Sequence, residues 1–155
     1  MADGRRDGFG TVTPYLVTED ADLLLDFILD TFDATILERM DRPDGSVMHV
    51  EARIGESMVM IGEPREGDQP MPTSLFVYVE DCDEVFSQAL EAGGTIVMQP
   101  TTMPQAGARY GGVEDPTGNI WWIATHLGEI VDDEELRRLE ALTAAAEEPV
   151  EDEEL

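Results

Sequence analysis

Lysine is absent from this sequence. Its nine basic residues are all arginine and face 35 aspartates and glutamates, a formal net charge of −26 over 155 residues. Such a field repels a phosphate backbone or an anionic bilayer surface, which argues against nucleic-acid and membrane partners. Cysteine is nearly absent too. Cys82 stands alone, so no intrachain disulfide can form and a reducing cytoplasm is the expected compartment. No apolar run approaches the roughly 18 residues needed to span a bilayer. The Arg5-Arg6 pair is followed by no apolar stretch of the kind a secretion signal carries. No Cys-x-x-Cys pair, nucleophilic triad or phosphate-binding glycine fingerprint is present. Acid-rich, lysine-free composition admits two readings: adaptation to a salt-rich cytoplasm, where repulsion is screened within a few ångströms, or a GC-rich genome that encodes Arg in place of Lys.

What is present is an ordinary apolar fraction, 42% of residues, enough for one domain with a real core. Residues 1–10 are polar and glycine-rich and read as a flexible arm. Residues 147–155 form an acidic run with the character of a disordered, solvated tail. Residues 128–146 read as a C-terminal helix whose start carries Asp132 and Asp133 and whose apolar stripe is Leu136, Leu139 and Leu142.

Residues 11–127 between them contain an internal repeat. Tyr15-Leu-Val-Thr-Glu-Asp-Ala-Asp22 parallels Phe76-Val-Tyr-Val-Glu-Asp-Cys-Asp83, offset by 61 residues. Each copy reads as a strand, an acidic helix start and an amphipathic helix, with Leu23, Leu24, Phe27 and Ile28 facing inward in the first and Val85, Phe86, Ala89 and Leu90 in the second. Thr35-Ile36 and Thr95-Ile96 then open the next strands. Arg42-Pro-Asp-Gly45, Gly55-Glu56 and Asp115-Pro-Thr-Gly-Asn119 are turn signals that divide the rest into strands. The order is βαβββ twice, in modules 12–62 and 73–126, joined by a proline-rich linker, Glu63–Pro72.

Two such copies, with a closing Asp-Pro-x-Gly-Asn turn, resemble the vicinal oxygen chelate superfamily of glyoxalases, bleomycin-resistance proteins and extradiol dioxygenases. Arg109–His126, together with Pro43–Glu51 and Ile54–Ser57, is similar to its PhnB-like branch. The resemblance implies an α+β fold in which two tandem βαβββ modules form a curved mixed sheet around a cavity, usually completed by homodimerisation. It also implies a divalent metal held by His, Gln or Glu from the first and last strands of each module. The corresponding positions here are Thr13, Val59, Ser74 and Trp122. A hydroxyl pair, an isopropyl and an indole supply none of the thiolate, imidazole or carboxylate donors such a site uses. The expectation is no metal in that site and no cofactor.

Strand alternation places Tyr15, Ser74, Phe76, Tyr78 and Trp122 on the cavity side. On the strand 46–54, Met48, Val50, Ala52 and Ile54 form an apolar face, and His49, Glu51 and Arg53 a polar one. His49 is the candidate proton-transfer or anchoring group, its ordinary pKa lying near neutrality; alternatively it is a strand histidine merely paired with a neighbour. Arg109 and Tyr110 lie in a glycine-rich stretch, where the guanidinium could clamp an anion or pair with a nearby acid. Trp122 could stack on a flat ligand or plug the metal space. The reading favoured is a metal-independent small-molecule binding protein that sequesters an aromatic or anionic ligand. The alternatives are an enzyme using His49 as general acid/base on a small carbonyl metabolite, and a protein with a vestigial pocket that acts through its surface.

Overall fold

A computed structural model describes residues 3–128 and, beyond them, residues 134, 137, 138 and 141, which are helical. The remainder of the predicted C-terminal helix and the acidic tail lie outside the described residues. The elements run β1 (Tyr15–Val17), α1 (Ala21–Phe32), β2 (Thr35–Asp41), β3 (Val47–Ile54), β4 (Ser57–Gly62), β5 (Ser74–Tyr78), α2 (Cys82–Glu91), β6 (Thr95–Met103), β7 (Ala108–Glu114) and β8 (Ile120–His126). This is βαβββ twice, an α+β fold. The eight strands divide into two four-stranded mixed sheets, β1-β4-β3-β2 and β5-β8-β7-β6. In each the first strand runs parallel to the last, and the other neighbours are antiparallel. No helix among the described residues is long and apolar enough to cross a membrane.

The repeated acidic positions start the helices. Asp20 and Asp81 are the N-caps, accepting hydrogen bonds from the backbone N–H of Leu23 at 3.0 Å and of Glu84 at 3.2 Å. The inward face of α1 is Leu24, Leu25, Phe27 and Ile28, whereas Leu23 is exposed. Capping by Asp20 starts α1 at Ala21 and turns Leu23 outward. In α2, Phe86 and Ala89 are buried as the periodicity predicts, while Val85 and Leu90 pack at the margin of the core.

The core is shared between modules. Trp121 is fully buried, with Phe27 and Phe32 of α1 at ring-centroid distances of 6.2 and 5.1 Å. Its indole N–H donates to Asp115 at 2.7 Å. Asp115 is itself buried and also accepts from the backbone N–H groups of Thr117 and Asn119, the Thr117 hydroxyl and the Asn119 amide. The Asp-Pro-Thr-Gly-Asn turn is thus a buried carboxylate satisfied by hydrogen-bond donors, and it anchors the side chain that joins the two modules.

Strand β3 departs from simple alternation. In the β2–β3 pairing, Met40 lies opposite His49 but Asp41 lies opposite Val47, so Met48 is an extra residue. Val47 turns into the core and Met48 out to solvent, and Val50 and Ala52 keep their predicted inward face.

Candidate functional site

The sequence-derived site residues fall into two groups, one on each sheet. On the first sheet, the Tyr15 ring lies 5.9 Å from His49, and the phenol oxygen sits over Gly62. A Cβ at Gly62 would approach that oxygen to 2.6 Å, so glycine is what lets the ring lie across β4. His49 Nε2 is 3.3 Å from Glu51 Oε1. Glu51 is buried despite lying on the polar face of β3, because the N-terminal segment covers it: Arg6 Nε reaches the other carboxylate oxygen at 3.0 Å, Arg6 also pairs with Glu38 at 2.7 Å, and Phe9 is at the edge of burial. Arg53 is exposed, with no ion-pair partner among the described residues. Tyr15 and His49 open onto a pocket of about 600 Å³ that also takes in Met40, Met48, Arg42 and Arg65.

On the second sheet, Phe76, Tyr78, Tyr110 and Trp122 form a chain of edge-on ring contacts with centroids 5.2–6.2 Å apart. Phe76 is 49% and Tyr78 67% exposed, so this is an open aromatic face. Trp122 lies flat over β7, where a Cβ at Gly112 would come within 2.6 Å of the indole. Ser74 Oγ accepts the Trp122 N–H at 3.0 Å. Two positions that carry metal ligands by the resemblance are therefore bonded to each other. With Thr13 and Val59 at the other two, the residues present do not fit a divalent metal. No group of three His, Cys, Asp or Glu among the described residues could hold one elsewhere.

Arg109 points the other way from its neighbour Tyr110. It grips Asp83 at the start of α2 with two hydrogen bonds, 2.9 and 3.0 Å, and also donates to Thr102. The pair holds the Asp83 carboxyl below its ordinary value and raises the guanidinium. Burial pushes the Cys82 thiol up.

No ring contact among the described residues joins Tyr15 and His49 to the aromatic chain of the second sheet. Between the modules lies a larger, mainly apolar cleft of about 1140 Å³, bounded by Leu29, Phe32 and Met58 on one side and by β5 on the other. Phe76 and Tyr78 border it, and β5 stands at the edge of its sheet. Strand periodicity does not point to Arg6, Arg42 or Arg65, since they lie in the arm, a turn and the linker. The one sequence signal they carry is scarcity, each being a cation in a strongly acidic chain.

The family model of the Glyoxalase/Bleomycin resistance protein/Dioxygenase superfamily matches residues 8–123. An uncharacterized protein of Mycobacterium bovis is 36% identical over 136 residues, covering 79% of this chain and 88% of its own. An uncharacterized protein of Mycobacterium tuberculosis matches equally, with 78% of its length covered. Among solved structures, TioX from Micromonospora sp. ML1 superposes with a TM-score of 0.63 at 26% identity, over 76% of this chain and 100% of its own. A PhnB protein from Bacillus cereus does so at 0.61 and 19%, over 75% and 99%, a likeness of fold alone.

Proposed function

The chain belongs to the glyoxalase/bleomycin resistance/dioxygenase superfamily, and from that premise we propose that it is a metal-independent small-molecule binding protein. The observation that carries this reading is the open aromatic face of the second sheet. Four rings from β5, β7 and β8 stack edge-on with about half of Phe76 and two-thirds of Tyr78 left uncovered, which is the surface a flat apolar ligand covers best. The donor set at the family's ligand positions supports the absence of a metal from the chemistry. A homodimer fits the same reading. The edge strand β5 and the cleft beside it offer a second copy a place to dock, and the copy's first sheet would then close over the aromatic face.

The test has two parts. Untagged protein is incubated with nickel, zinc, manganese and iron, and its metal content is measured after exhaustive dialysis; substoichiometric metal is expected, and one equivalent retained refutes the reading. A panel of planar aromatic compounds is then titrated while tryptophan emission is followed. Quenching that disappears in Trp122→Ala is expected; no response from any compound counts against binding at this face. Sedimentation of the same sample checks for the dimer.

A second reading is favoured by one contact, His49 Nε2 at 3.3 Å from the buried Glu51 carboxylate. That pair orients an imidazole as a general acid/base, here for a small carbonyl metabolite. His49→Ala separates the two: an enzyme loses about 10²–10⁴-fold in turnover, whereas a binder is only weakened.

A further inference from the structure

Arginine is scarce in this chain, and its distribution is uneven. Seven of the nine arginines lie within residues 3–128. Four of them, Arg5, Arg6, Arg39 and Arg109, are ion-paired to carboxylates. Arg42, Arg53 and Arg65 have no such pair among the described residues, although the acids outnumber the arginines almost four to one. Arg42 and Arg65 line the same pocket, beside Tyr15, His49, Met40 and Met48.

Resting on the binding reading above, we propose that this pocket on the first sheet is a second subsite that takes the anionic group, a carboxylate or phosphate, of a small ligand with a compact apolar body. The Arg42 guanidinium is held in place by uncharged partners: it donates to Ser46 Oγ at 3.2 Å and to the Glu63 carbonyl at 2.9 Å. Two of its five N–H groups are used in this way, and the others make no hydrogen bond among the described residues. Arg65 adds a second guanidinium from the linker, with no ion-pair partner among the described residues. Two carboxylates also line the pocket. Glu63 is spoken for: one oxygen accepts the Val47 N–H at 2.6 Å and the other the Ala21 N–H at 3.0 Å, the latter at the positive N-terminal end of α1. Asp68 has no such compensation and opposes one of the two guanidiniums. The four formal charges sum to zero, but the Glu63 charge is offset in part by its two N–H donors and the N-terminal end of α1, and His49 is turned to Glu51. Tyr15, Met40, Met48 and Val17 supply the apolar wall. In a protein of net charge −26, two guanidiniums that make no ion pair among the described residues and share one concavity select an anion by local pairing, since the long-range field repels it.

Asp68 makes the sign of the effect testable. Benzoate and phenyl phosphate are titrated into the full chain at moderate salt, with neutral benzamide and cationic benzylammonium as controls, and Kd is read by calorimetry. The anions are expected to bind at least about 10-fold more tightly than benzamide, the value of one charge-assisted hydrogen bond at a half-open site. Arg65→Gln, an exposed linker change, should remove that margin. Asp68→Asn should tighten the anions several-fold and weaken benzylammonium. Equal binding of benzoate and benzamide overturns the proposal, as does anion affinity unmoved by both variants. Its failure is distinguishable from that of the binding reading. A compound that quenches Trp122 irrespective of Arg65→Gln and Asp68→Asn leaves the aromatic face standing and removes the anion subsite.

Discussion

Trp121 and Trp122 are adjacent in sequence and point to opposite sides of β8, so the same substitution at the two positions should have very different consequences. Trp121 is fully buried against Phe27 and Phe32 and donates its indole N–H to Asp115 at 2.7 Å. Trp121→Phe removes a hydrogen bond to a buried carboxylate, worth about 1.5–3 kcal/mol. It also removes two ring carbons from the core, about 1.6 kcal/mol at roughly 0.8 kcal/mol per buried carbon. Asp115 keeps four other donors, so the loss falls short of that of an orphaned charge. The sum is about 3–5 kcal/mol, which for a chain of this size lowers Tm by roughly 10 °C or more. Trp122→Phe loses a half-open bond to Ser74 and should cost about 1 kcal/mol or less. Urea denaturation and calorimetry read both. Equal losses in the two variants, or a Trp121→Phe protein that melts within about 2 °C of wild type, would refute the assignment of these side chains to opposite faces.

Other consequences follow from charge. Raising KCl toward molar concentration shrinks the Debye length to about 3 Å and screens a net charge of −26, so Tm should climb by several degrees; a flat profile refutes self-repulsion as a significant cost. The Asp83 carboxyl is held below its ordinary value of 3.8 by Arg109. Its contribution to stability is therefore present above that value and lost as pH falls below it. The Asp83 side chain is more than half exposed, so Asp83→Asn should cost only about 0.5–1 kcal/mol at pH 7, and the gap from wild type should close as acid protonates the carboxyl below its ordinary range. A gap that persists in acid rejects the ion pair as its source.

Much of the fold was legible in the sequence because it rests on local rules. The duplicated Glu-Asp pairs announce capped helices, and Asp20 and Asp81 cap them. Arg42–Gly45 and Asp115–Asn119 are turns because their own side chains and glycines make them so. The site was less legible. Alternation along β3 assigns Met48 to the core and Glu51 to an open face, and both assignments fail for non-local reasons. A bulge against β2 turns Met48 outward, and the N-terminal segment brings Arg6 onto Glu51.

The amino-acid sequence by itself determined the two βαβββ modules, the family to which the chain belongs, and the lack of donors at the family's metal positions. Each follows from residue types at fixed spacing. Tertiary structure decided which side chains meet. It sent Arg109 to Asp83 instead of to the aromatic face. It bonded Trp122 to Ser74 and gathered Arg42 from a turn and Arg65 from a linker beside Tyr15 and His49. Those encounters depend on register, bulges and the packing of segments distant in the chain, and no periodicity within one strand or helix encodes them.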